Sequence, residues 1–205
     1  MLRTLTAMVL ASLLMIPSAF ADESADKKGK DDGFSRYNVN LAGSIFGPSA
    51  NFGYNTSRKT MFTFAMGAFS GNAPFDPKIG DVTYTASGET TWMGFFVNHR
   101  PVDDAQWFRL VAGIGIGSIE NELEDSNGNS YRIDYKESPV GYLGIGFGVE
   151  AKKGFLWGVD LGVLQTAGGN VSSTGGMGDA TEDISDSWMA GTLLPNFQVS
   201  LGWGF

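Results

Sequence analysis

The sequence predicts an all-β protein, a transmembrane antiparallel up-and-down barrel of eight strands. Three observations carry that expectation. The 205 residues include 29 glycines, 13% aromatics and no cysteine, a composition for close backbone approaches and few long helices. Several segments alternate large apolar residues with glycine or polar ones at a period of two. The connections between those segments alternate short and long. With 42% apolar and 18% charged residues, the chain is neither disordered nor collagen-like, and one domain is expected. A formal net charge of -8 argues against nucleic acid as a partner, because phosphate binding needs clustered Lys and Arg.

The elements follow in chain order. Residues 1–21 read as a cleaved secretory signal: Arg3, an apolar run from Ala7 to Ile16, then Pro17-Ser18-Ala19-Phe20-Ala21 as a small-x-small site. The apolar run is well short of the roughly 20 residues a helix needs to cross a bilayer. Residues 22–35 mix charges of both signs and read as a disordered periplasmic tail, ahead of a barrel over 36–205. Without disulfides an exported chain must rely on a core or a closed sheet.

Tyr37 to Ile45, Ala50 to Asn55, Thr60 to Phe69 and Thr91 to Asn98 are the first four candidate strands. The next four alternate more cleanly. Phe108, Leu110, Ala112, Ile114 and Ile116 oppose Arg109, Gly113, Gly115 and Gly117; Leu143, Ile145, Phe147 and Val149 oppose Gly144, Gly146, Gly148 and Glu150. Phe155, Trp157, Val159, Leu161 and Val163 oppose Gly158, Asp160 and Gly162, and Phe197 to Phe205 alternates to the terminus. A sandwich would bury the large face; a membrane barrel turns it to lipid. Short connections (Thr56 to Lys59, His99 to Trp107, Lys152 to Gly154) alternate with long polar ones, which selects the barrel and puts both chain ends on the periplasmic side.

Two turns set the register. Asn127-Gly128 is a two-residue type I′ signal pairing Ser126 with Asn129, and Lys152-Lys153-Gly154 suits a three-residue hairpin pairing Ala151 with Phe155. Continued without a bulge, these put Gly146 between Arg109 and Asp160, so an arginine can reach the carboxylate across a residue without a side chain. Arg109, Asp160, Glu150 and Gly146 are therefore the lumen candidates. Glycine on the inward face of three strands leaves two alternatives: a void open to water or a slim ligand, or filling by bulky groups such as Met61, Phe69, Tyr142 or Leu164. Tyr37, Trp92, Trp107, Trp157 and Trp203 are candidates for aromatic girdles at the membrane interfaces.

With these features the chain resembles the small eight-stranded outer-membrane barrels of Gram-negative bacteria, of the OmpA, OmpX and OmpW type. Phe205, preceded by Trp203, Leu201 and Val199, looks like the terminal signal such proteins present to the barrel-assembly machinery. The segments FRLVAGIGIG (Phe108 to Gly117), VGYLGIGFG (Val140 to Gly148) and WGVDLGVLQ (Trp157 to Gln165) are similar to strands of an uncharacterised exported, porin-like barrel family. The resemblance implies a cell-envelope location in the outer membrane and a barrel fold, without an activity.

Chemistry is sparse. A lipid-A deacylase of this architecture pairs a histidine with a serine two residues on in a late strand, whereas the single histidine, His99, sits in a short turn and the late segment reads Leu164-Gln165-Thr166. No enzyme activity and no cofactor are expected. Asp125 to Asn129 superficially resembles a calcium loop, but Ser130 and Lys136 stand where such a loop has glycine and glutamate. Glu122, Glu124 and Asp125 are only weak metal candidates in a loop whose charges otherwise keep it soluble. The expected role is structural or surface-interacting, through loops 71–89, 120–137 and 166–192, with the bilayer and outer-leaflet lipopolysaccharide as surroundings. The alternative is a narrow channel or small-molecule carrier through the glycine-lined lumen.

Overall fold

The computed structural model describes residues 33–73, 76–135 and 139–205. The expected signal segment and most of the expected tail lie outside them. Among the described residues eleven strands occur: β1 (Tyr37–Ser44), β2 (Gly47–Asn55), β3 (Thr60–Asn72), β4 (Lys78–Ile79), β5 (Val82–His99), β6 (Phe108–Asp125), β7 (Ser130–Tyr135), β8 (Val140–Gly148), β9 (Gly154–Gln165), β10 (Asn170–Gly175) and β11 (Leu193–Gly204), with one short α-helix, α1 (Thr181–Ser185). Eight of them close an antiparallel ring, β1-β2-β3-β5-β6-β8-β9-β11 and back to β1. These are the eight segments the periodicity selects.

The ring follows from which face each strand can expose. Val39 and Leu41 on β1 stand beside Phe52 and Ala50 on β2, Phe64 on β3 beside Phe95 on β5, and Leu110 on β6 beside Ile145 on β8 and then Leu161 on β9. All of these side chains point away from the lumen, and most are exposed. Such a belt is stable only against lipid, so the barrel spans a membrane. Tyr37, Trp107, Trp157, Trp203 and Phe155 ring its edge at the end of the short turns, with Tyr37 stacked on Phe52 and Trp107 stacked on Phe147. Trp92 departs from the girdle expectation. It lies on the inward face of β5, against Phe96 and over Gly67, because its parity is that of Asn98 and not of Phe95.

A charge placed in the belt tests it. Leu41, 72% exposed at the middle of β1, should cost about 2–4 kcal/mol when changed to arginine, read from urea unfolding in lipid vesicles. The same change at Thr85, which faces water higher on β5, should be nearly neutral.

The loops are not the polar strings that the sequence suggests. A membrane-crossing strand needs about 9–11 residues, yet β5 and β6 have 18 each, so about half of each projects beyond the bilayer. β4, β7 and β10 add to these projections as a sheet beyond the membrane, ordered β4-β5-β6-β7-β10. At the membrane boundary the faces exchange character. Outward residues on β6 run Leu110, Ala112, Ile114 and Ile116, then Ser118, Glu120, Glu122 and Glu124; inward ones run Arg109, Gly113, Gly115 and Gly117, then Ile119 and Leu123. Where lipid gives way to water outside, the apolar face must turn inside.

The register differs locally from the expectation and agrees overall. Asp125, not Ser126, pairs with Asn129, through backbone bonds from Asp125 N to Asn129 O (3.0 Å) and Gly128 N to Asp125 O (3.1 Å), with Gly128 at φ 79°. That three-residue loop pairs Ile119 with Tyr135. Between there and the Gly115–Val140 pair, four steps on β6 face five on β7–β8, which returns the lower strands to the expected pairing of Leu110 with Ile145. The second hairpin, with Gly154 at φ 98°, places Gly148 opposite Gly158 as expected.

At the end of the short turns, part of the expected tail belongs to the barrel floor. Ser35 is fully buried, Phe34 bridges to Lys152, and Lys153 N donates to Gly33 O at 2.7 Å. Asn55 Nδ2 donates to Ser35 O at 2.9 Å.

Candidate functional site

The lumen is built from glycines and the large side chains lying over them. Phe96 covers Gly94 and Gly113, Trp92 covers Gly67 and Gly117, Tyr142 covers Gly144 and Gly162, and Arg109 covers Gly146 and Gly158. A Cβ at any of these glycines would meet the covering side chain or the next strand's carbonyl oxygen. Glycine is thus needed for close packing of inward rings, and the two alternatives for the interior are each half realised. Tyr142, Met61 and Leu164 line it, joined by Phe96 and Trp92, while Phe69 sits higher, over Gly47 and Gly71.

Gly146 pairs with Arg109 on one side and Asp160 on the other. Arg109 Nη2 donates to both carboxylate oxygens of Asp160 at 2.9 Å, and Nε donates to Oδ1 at 3.2 Å. Both residues are only 7% exposed. Fork and carboxylate meet across a glycine because any side chain at 146 would occupy the line between them. Glu150 lies just beyond β8 in the β8–β9 turn and is exposed, bordering the lumen floor.

Arg100, expected in the short connection from His99 to Trp107, is a floor residue. It follows β5 with the inward parity of Asn98, and this parity was the signal available for it. Its Nε donates to Gln106 O at 2.8 Å and its Nη2 to Val149 O at 3.1 Å, tying the β5–β6 turn to the β8–β9 turn. Burial, then repulsion from Arg109, pushes its pKa down to about 10, so it stays protonated at neutral pH.

Between this floor and the mouth lies a cavity of about 370 Å³. Its walls are rich in amides, with Asn38, Asn40, Asn51, Asn98, Asn196 and Gln198. Above it lies an apolar cluster. Tyr84, Leu123, Tyr131, Ile133 and Leu194 form one buried cluster with Ile184 of α1 and Ala190. Segment 176–192 is held there by backbone bonds from Gly169 N to Ala190 O (2.9 Å) and Thr166 N to Thr192 O (2.8 Å). Tyr135 Oη donates to Met189 O at 2.6 Å and lies 3.2 Å from Gly191 O; burial pushes this hydroxyl up to about 12, which keeps it a donor.

Two of the three weak metal candidates are engaged otherwise. Arg132 binds Glu120 and Glu122 on the outer face of the extension, at 3.1 and 2.7 Å. Asp125 accepts from Asn127 N, Asn129 N and Asn129 Nδ2 at 2.8–2.9 Å, which holds its carboxyl below the usual range, chiefly through Asn129. Glu124 stands on the outward face of β6 and is exposed. His99 Nδ1 lies 3.0 Å from Thr60 Oγ1 at the barrel rim. No group of three or more metal-ligating side chains occurs among the described residues.

No protein-family model matches the chain, and no curated protein matches it. Its fold is similar to solved structures. CarO of Acinetobacter baumannii superposes with a TM-score of 0.65 at 15% identity, covering 86% of this chain and 100% of that one. CarO2 of the same organism superposes with a TM-score of 0.61 at 12% identity, covering 84% of this chain and 99% of that one. A major outer membrane protein of Thermus thermophilus aligns with a TM-score of 0.48 at 11% identity, covering 82% of this chain and 98% of that one. At these identities the likeness is one of fold, and the fold is the eight-stranded antiparallel membrane barrel.

Proposed function

We propose that this protein is a non-enzymatic outer-membrane barrel with a structural or surface-interaction role, its extracellular sheet serving as a fixed platform. The observation that carries the reading is the apolar cluster in the mouth, where Ile184 and Ala190 pack beneath β5, β6 and β7. It holds the long connections as ordered strands with a polar, mostly acidic outer face and closes the extracellular end of the lumen. Outer-leaflet lipopolysaccharide is the neighbour proposed for that face, and the terminal strand ending in Phe205 is proposed to engage the barrel-assembly machinery.

Planar-bilayer recording of the refolded protein tests the reading. Folded, heat-modifiable protein giving no steady current is the expected result. A steady cation-selective current through the unaltered barrel would overturn the closed-platform reading in favour of a channel.

A further inference from the structure

Opposite walls of the lumen differ in chemistry. In the ring, β11, β1 and β2 stand across from β5, β6 and β8, with β3 and β9 between them. On the first wall the inward parity carries amides and hydroxyls: Asn40 and Asn51 are register partners, Ser44 is the partner of Gln198, and Ser200 follows on β11. On the second it carries rings. Gly113 is paired with Phe96 on one side and Tyr142 on the other, and with no side chain between them the two rings meet at 5.7 Å and 83°. Trp92 meets Phe96 in turn at 6.4 Å and 85°. Both sets line the same cavity of about 370 Å³, within the roughly 300–1,000 Å³ of small-molecule sites.

The amides of the first wall are used only in part. Asn40 Nδ2 donates to Asn38 Oδ1 at 2.7 Å and Asn51 Oδ1 accepts from Ser49 Oγ at 3.4 Å, while the Gln198 side chain makes no hydrogen bond among the described residues. All three are half-buried members of the cavity lining. A primary amide carries two donors and an acceptor, so this wall keeps both kinds of group in reserve. Charge is absent from the space between the walls. Arg109 and Asp160 neutralise each other, Arg100 is tied to two carbonyls at the floor, Glu150 is exposed in the β8–β9 turn, and Asp134 belongs to β7 beyond the membrane. An ion would therefore bring a charge without a partner, and a hydrocarbon would strip the amides of water without replacing it. A neutral molecule with hydroxyls on one side and carbon–hydrogen bonds on the other satisfies both walls, because those hydrogens carry the partial positive charge that the negative faces of aromatic rings attract.

We propose that the lumen cavity binds one neutral monosaccharide, its hydroxyls on Asn40, Asn51 and Gln198 and its carbon–hydrogen face toward Phe96 and Tyr142. The site uses no residue beyond the membrane, so it and the platform role stand or fall separately.

Equilibrium dialysis of radiolabelled glucose, galactose and ribose tests it, with the protein in an amine-oxide detergent that brings no sugar and each sugar present during refolding so that entry is not limiting. At least one should be taken up saturably, near one per barrel. Glucuronate and protonated glucosamine, of similar shape but charged, should displace it at least tenfold less well than the unlabelled sugar, and cyclohexanol should not displace it. Gln198→Met and Phe96→Leu should each weaken uptake roughly five- to tenfold, the worth of about one hydrogen bond or ring contact. Saturable uptake of none of the three sugars, or displacement by glucuronate, glucosamine or cyclohexanol as good as by the sugar itself, overturns the proposal without recourse to a variant. Undiminished uptake by both variants, folded by heat-modifiability, overturns it as well.

Discussion

Asp160→Ala should cost the barrel about 3–5 kcal/mol of folding free energy, the largest loss expected from any single lumen substitution. The cause is what remains behind. Arg109 stays inside the ring, 7% exposed and laid across Gly146 and Gly158, with three hydrogen bonds to Asp160 removed. The bond energies alone would suggest less; an uncompensated buried guanidinium sets the scale. Removing both charges, with Arg109→Met and Asp160→Leu, should therefore recover most of the loss. Urea-induced unfolding in lipid vesicles, followed by intrinsic tryptophan fluorescence, reads all three proteins. Equal midpoints for Asp160→Ala and wild type would show that the pair contributes nothing, and a double variant as weak as the single would show that shape, not charge, governs the site.

The Arg109–Gly146–Asp160 alignment was legible in the sequence because the apolar parity of three neighbouring strands constrains their register more tightly than any one turn does. The turn at Asn127-Gly128 was misread by one residue, yet the lower register stood, since the extra step between Tyr135 and Val140 cancels the difference. A membrane belt tolerates no slip: moving one strand by one residue would put glycines against lipid and isoleucines in the lumen. The sheet beyond the membrane was hidden for the complementary reason. Its strands obey the same period of two with the opposite parity, so Ile119 and Leu123 look like interruptions of a lipid-facing pattern rather than the start of a water-excluding one. Ser118 marks the exchange, and Tyr131, Ile133 and Tyr135 repeat it on β7. Trp92 was misplaced because a tryptophan near the interface suits either face by composition; only its parity with Asn98 separates them. Arg100 was hidden by its place in a turn, where charge is ordinarily solvated.

Ile184→Asp should release the plug of the mouth while leaving the membrane barrel folded. Ile184 is the one buried residue of α1, fully enclosed in the cluster with Tyr84, Leu123, Tyr131 and Ile133. A carboxylate there loses its hydration without gaining a cation. The neighbouring charges Asp183, Glu182 and Asp186 share its sign, so they offer no compensation. The helix is only five residues long and cannot persist once its anchor is lost, because a single turn is marginal without tertiary packing. What remains to hold segment 176–192 is the Tyr135 hydroxyl, Asn129 Oδ1 accepting from Gly178 N at 2.9 Å, the Thr166 hydroxyl and a few backbone bonds, so Tyr135→Phe added to Ile184→Asp should extend the release. The ring itself depends on the belt and on Arg109–Asp160, which are separated from the mouth by the cavity. Limited proteolysis should then cut within 176–192 in the variant and spare it in the wild type, with heat-modifiability on electrophoresis unchanged in both. Current steps appearing in planar bilayers only for the variant would identify the cluster as the barrier that closes the lumen. Unchanged cleavage would mean that the surrounding strands, not Ile184, keep the mouth shut. Loss of heat-modifiability would mean that the extension and the ring fold as one cooperative unit, with the platform a condition of barrel stability and not an addition to it.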